Sequence, residues 1–364
     1  MLPKFIKKIN LEDLLILIGL LIRSFLTFSH NYWFDEKVSL NISQFPFLKL
    51  LHMAALDNHP PLYYLYLKLF SPLLLDAYLL RFTSVLLGVF SLWVAFKFFS
   101  LITNRSTSLI ALLIMSLSPL QIYYSTELRM YPLFVFLGLI FYWSITRYLT
   151  YPKITNAFYL LISASLLMYT HYFGIILVLT SVVYVFLYYR KHFVKTLLLS
   201  FISGLLFLPW FIYTINFTKP GCWCFAPTIG IPAIFASFTV GLMGHFDIFD
   251  ALTTSRIPLI FKTLYFLNII YFFILYLLSV FKKINPKISQ LQVFIWFPII
   301  LTSLISLKIN IFSIRSFIVF SPIYYLIVAQ ILAKIKHKMN LYILISIFTL
   351  CSVFILNAIY AWDL

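Results

Sequence analysis

Ten carboxylates stand against 27 lysines and arginines in this 364-residue chain, and two of them are neighbours, in Trp33-Phe34-Asp35-Glu36. Adjacent carboxylates raise each other's proton affinity, a cost that catalysis often accounts for. Further on, Asp57-Asn58-His59-Pro60-Pro61-Leu62-Tyr63-Tyr64 brings an acid and a histidine just ahead of two prolines. Proline suits the first turn of a helix, so Asp57 and His59 sit at a rigid start. A third group runs from Ser118-Pro119 to Tyr131-Pro132 and carries Glu127, Arg129 and Tyr131. In an extended conformation these three share one face, since alternate residues do. His171, in Tyr169-Thr170-His171-Tyr172-Phe173, and Arg315, in Ile314-Arg315-Ser316-Phe317, complete the set. Carboxylates can take a proton from a hydroxyl, and the planar fork of arginine matches phosphate oxygens. Each group also has a plainer reading: a solvated helix exit, a weak Glu–Arg surface pair, an interfacial histidine, an arginine reaching for lipid headgroups.

The elements that hold these residues are apolar. The chain is 63% hydrophobic with a mean hydropathy of +1.00, and runs of about 18 or more apolar residues recur, each able to cross ~30 Å of hydrocarbon. The short alternating segments of a β-barrel are absent. The fold class is therefore an all-α polytopic membrane protein. Eleven spans are expected, at 13–29, 77–101, 107–122, 131–149, 155–170, 172–189, 196–216, 257–281, 289–307, 314–333 and 340–360. Lys4, Lys7 and Lys8 precede a first run too long for a signal peptide core, so it reads as a retained helix.

From a cytoplasmic N-terminus, the inner links hold Arg105, Arg147, Lys153, Arg190, Lys191, Lys195, Lys282, Lys283, Lys287, Lys334, Lys336 and Lys338. Eight of the ten acids, all but Glu12 and Asp13, fall outside. That is the positive-inside pattern, and it explains the net charge of +17 without nucleic acid. The stretch 60–75 is short for a crossing and has Lys68 in its middle. It is expected to lie at the outer membrane surface, with Tyr63, Tyr64 and Tyr66 at headgroup level. Two long outer loops, 30–76 and 217–256, interrupt a single unit spanning 1–364, with no separate soluble domain. Cys222, Cys224 and Cys351 read as ordinary thiols.

Asp-Glu in the first outer loop, His-Pro-Pro-Leu-Tyr-Tyr at its end, Ser-x-Glu-x-Arg-Met-Tyr in the next and Thr-His-Tyr-Phe further on occur in this order. Together they resemble the membrane-embedded glycosyltransferases of the GT-C superfamily. The nearest branch is the dolichyl-phosphate-mannose-protein mannosyltransferase-like family, which includes the lipid A aminoarabinose transferases. The resemblance covers residues 10–190 by motif and the remainder by topology and Arg315. It implies a polyprenyl-monophosphate sugar donor and transfer, with inversion, to a hydroxyl of a glycan, lipid or protein. Asp35 matches the family's base, with Glu36 orienting the acceptor or tuning Asp35. Arg129 and Arg315 are the phosphate candidates, and Asp57, His59, Tyr63, Glu127, Tyr131 and His171 line the cavity. Family members differ in metal use, so a divalent cation such as Mg or Mn on Asp35, Asp57, His59 and Glu127 stays open. A phosphate leaving group does not itself require a protonated acid.

Two other classes fit parts of the pattern. A transporter or flippase of a lipid-linked or small anionic solute would use ionisable residues deep in spans, for which Arg23, Arg81 and Lys97 are the candidates. A polysaccharide polymerase or ligase would rely on arginines and a histidine in a large outer loop, where 217–256 offers Arg256 and His245.

Overall fold

The computed structural model describes residues 10–27, 32–70, 77–215, 217, 259–281, 285–308, 311 and 314–334. Every element among them is helical. The eleventh expected span, most of the second long loop and all three cysteines lie outside the described residues.

Chain order begins with α1 (Leu11–Thr27), α2 (Phe34–Gln44), α3 (Phe47–Leu56) and α4 (Leu62–Phe70). It continues with α5 (Ala77–Ile102), α6 (Arg105–Leu117), α7 (Pro119–Ser125), α8 (Tyr131–Thr150), α9 (Ile154–Thr170), α10 (Phe173–Tyr188) and α11 (Phe193–Ile215). Then come α12 (Leu259–Phe281), α13 (Pro286–Gln290), α14 (Val293–Ser306), a 3₁₀ segment at Ile314–Phe320 and α15 (Ser321–Leu332). All twelve residues of α15 are buried, and α1, α5, α6 and α8 pack among themselves around that core. Gly138 lets α8 come close: a Cβ there would lie 2.3 Å from Val319 Cγ2. Small residues at helix crossings do this in membranes generally. By contrast α11 exposes Phe201, Leu205 and Ile212 along its length, as a lipid-facing helix does.

Five helices are long and apolar enough to cross a membrane, or six if one bent pair counts as a single span. The expected count of eleven is therefore not reached among the described residues; several expected spans are helices shorter than about 18 residues, as α9 and α10 show. Two expected spans also change character. Residues 107–122 are not one helix: α6 and α7 meet at a 55° bend. Pro119 lacks an N–H and pushes Ser118 into the extended region, where its φ and ψ are −62° and 122°. Residues 314–333 begin as a 3₁₀ turn and become α-helical at Ser321.

The first loop is more structured than its sequence suggests. Besides α4 it contains α2 and α3, and α4 does not float with wet tyrosines. Tyr63 and Tyr64 are each 1% exposed, because α4 packs on α2 and α9 rather than on headgroups. Glu12 and Arg105, 2.6 Å apart, tie the start of α1 to the start of α6. Arg81 donates to the Thr27 carbonyl at the other end of α1. The bundle thus has two ends, with Arg105, Arg147 and Arg190 at the end opposite the first-loop acids.

Candidate active site

Asp35 and Glu36 occupy the first turn of α2, where negative charge complements the helix dipole. Their fates differ completely. Glu36 closes its own helix by accepting from the Trp33 N–H at 3.3 Å, the glutamate half of a capping box. It is fully buried and takes a two-pronged grip from Arg81, Nε at 2.8 Å and Nη2 at 2.6 Å. The Leu128 N–H adds a further bond at 2.9 Å. One carboxylate therefore joins α2, α5 and the loop after α7. Asp35, one residue earlier, keeps 28% of its side chain exposed. Its Oδ2 lies 3.6 Å from Arg129 Nη2 and 4.0 Å from Arg315 Nη1. Arg129 is held in addition by Ser39 Oγ at 3.3 Å and the Asp35 carbonyl at 3.4 Å.

Asp57 and His59 are juxtaposed by the way α3 stops. Asn58 adopts φ 57°, a left-handed conformation that asparagine tolerates better than most residues. The His59 N–H then bonds the Ala54 carbonyl and the Asn58 N–H the Ala55 carbonyl, both at 3.1 Å. This double closure is the Schellman motif. It places Asp57 Oδ2 3.1 Å from His59 Nδ1 and 2.5 Å from the Tyr64 hydroxyl, which donates to it. Burial pushes the Asp57 carboxyl up, but His59 and Tyr64, helped by the Arg129 charge, bring it below the usual carboxylate range.

His171, at the α9–α10 turn, is 7% exposed. Its ring lies 6.4 Å from that of His59, 5.9 Å from Tyr131 and 4.8 Å from Phe134, all centre to centre. Its Nδ1 accepts from the Phe173 N–H at 3.1 Å. Burial, with the nearby His59 and Arg129 charges, pushes it down to about 3; it is a neutral wall. Glu127 is 1% exposed. Burial and the Glu36 charge raise its carboxyl well above the usual range against the pull of Tyr123, Arg129 and Arg315, which favours the protonated acid.

Asp35, Arg129 and Arg315 are thus brought together, and Asp57, His59, Tyr131 and His171 line the same region. The extended conformation expected for 127–131 is not found, since 126–130 turn and Tyr131 begins α8. Tyr63 faces the core, stacked on Tyr66 with ring centres 6.2 Å apart. Arg81, Tyr64 and Ser39 join the site unexpectedly. Arg81 had a signal: a guanidinium inside an apolar run must find an anion.

Four helix N-termini converge here. Asp35 begins α2, His59 precedes α4, Arg129 precedes α8 and His171 precedes α10. The dipoles at such ends favour anions, although at α10 the Phe173 and Gly174 N–H groups are already taken by the His171 ring and carbonyl. The four proposed metal ligands do not form a fitting set. No group of three or more His, Cys, Asp or Glu side chains is arranged for a metal among the described residues. Asp35 faces two guanidiniums, and Asp57 Oδ2 is shared by His59 and Tyr64.

No protein-family model matches the chain, and no curated protein matches it in sequence. Solved structures do. ArnT from Cupriavidus metallidurans bound to undecaprenyl phosphate aligns with a TM-score of 0.60 at 13% identity, over 91% of this chain and 62% of that one. The fold is shared with ArnT. The oligosaccharyltransferase of Archaeoglobus fulgidus in its apo form aligns at 0.56 and 13% identity, over 98% and 55%. Its complex with an inhibitory peptide and a dolichol-phosphate aligns at 0.54 and 11% identity, over 97% and 56%. A further structure of that enzyme holds zinc and sulfate. The chain spans about three fifths of the length of ArnT. The all-α membrane fold expected from the sequence is a fold this chain shares with ArnT and the archaeal oligosaccharyltransferase.

Proposed function

We propose that this chain is an integral-membrane glycosyltransferase that uses a polyprenyl- or dolichyl-monophosphate sugar. In this reading a hexose such as mannose moves, with inversion, to a hydroxyl of a glycan, lipid or protein acceptor on the extracytoplasmic face. The observation that carries the proposal is the meeting of Asp35, in the first turn of α2, with Arg129 and Arg315. The lipid phosphate of ArnT and of the oligosaccharyltransferase complex, undecaprenyl in one and dolichol in the other, supports it. The outer placement rests on the basic links at the opposite end of the bundle.

The two guanidiniums and the helix ends take the donor phosphate and the charge that grows on it as the sugar leaves. Asp35 then takes the acceptor proton, a task for a carboxylate within hydrogen-bond reach. Before the donor arrives its charge is shared with both arginines. Glu36, locked by Arg81, is a positioning residue that sets the first turn of α2. The transporter reading needs its buried arginines for a solute. Arg81 is instead spent on Glu36, and Arg23 on the carbonyls of Gly19 and Ser116.

The test is purified protein in nanodiscs with a panel of polyprenyl-phosphate sugars. Release of the lipid phosphate with some donor, lost in Asp35→Asn, is expected. Solute movement across vesicles without phosphate release would establish the transporter instead.

A further inference from the structure

Pro119 breaks the α6–α7 span where α6 packs along the buried helix α15, and two hydrogen bonds between side chains bridge the break. Ser118 Oγ and the Tyr325 hydroxyl lie 2.7 Å apart, and Gln121 Nε2 donates to Ser321 Oγ at 2.8 Å. Ser118, Ser321 and Tyr325 are fully buried and Gln121 nearly so. The Ser321 hydroxyl gives its one proton to the Ile318 carbonyl at 2.8 Å, so toward Gln121 it can only accept. Positions 118 and 121 are neighbours on one helix face, as are 321 and 325. Position 118 meets 325 and position 121 meets 321, so the bonds clamp antiparallel segments at two points. One bond would let α7 pivot. Two fix both its rotation and its slide along α15.

Each side of the clamp leads straight to an arginine of the site. Arg129 lies eight residues beyond Gln121, in the buried turn 126–130, where the Leu128 N–H is held by Glu36. Arg315 lies six residues before Ser321, in the 3₁₀ segment whose Val319 carbonyl accepts from the Tyr142 hydroxyl at 3.3 Å. The two guanidiniums come from opposite halves of the chain, yet both reach Asp35 Oδ2, at 3.6 and 4.0 Å. Hydrogen bonds between membrane helices add little stability each, whereas misplacing a group of the site by about 1 Å can cost about a hundredfold in rate. The consequence of the clamp is therefore geometric. We propose that Ser118, Gln121, Ser321 and Tyr325 are positioning residues that set the spacing of Arg129 and Arg315, and with it the fit of the site to the donor phosphate; this rests on the polyprenyl-phosphate reading. All four are buried and work through the backbone that carries the arginines. The two forks stay converged on one anion, the Asp35 carboxylate before the donor arrives and the phosphate afterwards.

Undecaprenyl phosphate binding to the full chain in nanodiscs tests it, with Ser321→Ala and Tyr325→Phe removing one hydroxyl from each point of the clamp. Together they should weaken binding by about tenfold, while thermal unfolding without the lipid phosphate stays close to wild type. Arg315→Gln supplies a readout that a packing defect would not move. Substitutions without a shared partner normally add. A spacing needs both arginines, so once Arg315 is replaced the clamp pair should cost no more than about twofold. Unchanged affinity in the folded pair, or an equal loss with and without Arg315, overturns the positioning role and leaves the donor reading standing. Tyr325→Phe alone, which keeps the shape of the side chain, is judged by the same comparison if the pair does not fold. Wild-type protein that binds no undecaprenyl phosphate overturns the donor reading, and the positioning role falls with it.

Discussion

Asp35 and Glu36 are neighbours on one turn of one helix, yet they live in different solvents. Glu36 is fully buried with two guanidinium contacts and two backbone N–H donors. Asp35 is over a quarter exposed and meets its arginines only at 3.6 and 4.0 Å. A carboxylate whose lone pairs are all taken cannot accept a substrate proton; one in loose, long contacts can exchange partners. The contrast separates a carboxylate fixed in the fold from one whose contacts are long enough to be exchanged.

The sharpest way to break that division is at Glu36. Replacing Arg81 by Met leaves a buried carboxylate without its counter-charge, which should destabilise the protein by about 3–5 kcal/mol. Thermal unfolding of the detergent-solubilised chain should drop steeply or the protein should fail to accumulate. If Arg81→Met unfolds like wild type, the structural reading of Glu36 is wrong. Next comes Asp35→Asn. Unfolding should stay close to wild type while transfer falls by about 10²–10⁴-fold, the usual worth of a general base. A variant with full turnover would remove Asp35 from the chemistry. Arg315→Gln, at a partly exposed cation, should lower kcat by about 10²–10³-fold, as loss of one charge-stabilising donor does, with thermal stability nearly intact.

The smallest effects concern pH and the wall of the site. His171, held at about 3 in the fold, binds fewer protons folded than unfolded between that value and the ordinary histidine value of about 6.5. Its contribution to stability is full above the ordinary value and declines as pH falls toward 3. Asp57, depressed in the fold, is lost in the same direction at still lower pH. His171→Asn should flatten the melting temperature against pH just below neutrality. Tyr64→Phe should cost about 1 kcal/mol through the lost Asp57 bond and leave a smaller acid loss that is complete at a higher pH. A melting profile identical to wild type in both variants would show that these groups do not feel each other as the distances imply.

Much of the site was legible in the chain. Asp35, Arg129 and Arg315 were identifiable because an apolar chain that spares its charges advertises each one. Their common end followed from the side rule for basic links. What escaped was pairing. Nothing local says that Arg81, read as a buried cation needing some anion, belongs to Glu36, or that Tyr64 turns inward to Asp57 while Tyr63 turns into the core. The broken span was half visible: Pro119 marked the place, but a proline can sit at the end of a helix as easily as at a bend.

The sequence by itself determined that this is a helical membrane protein with most of its acids at one end and its basic links at the other. Composition, hydropathy and charge asymmetry act residue by residue and survive without any fold. Only the tertiary structure decided which acid of the pair is buried, which arginines face Asp35, and how α3 ends so that Asp57 meets His59. Those outcomes depend on desolvation and on partners dozens to hundreds of residues away, and neither is encoded in any single stretch of chain.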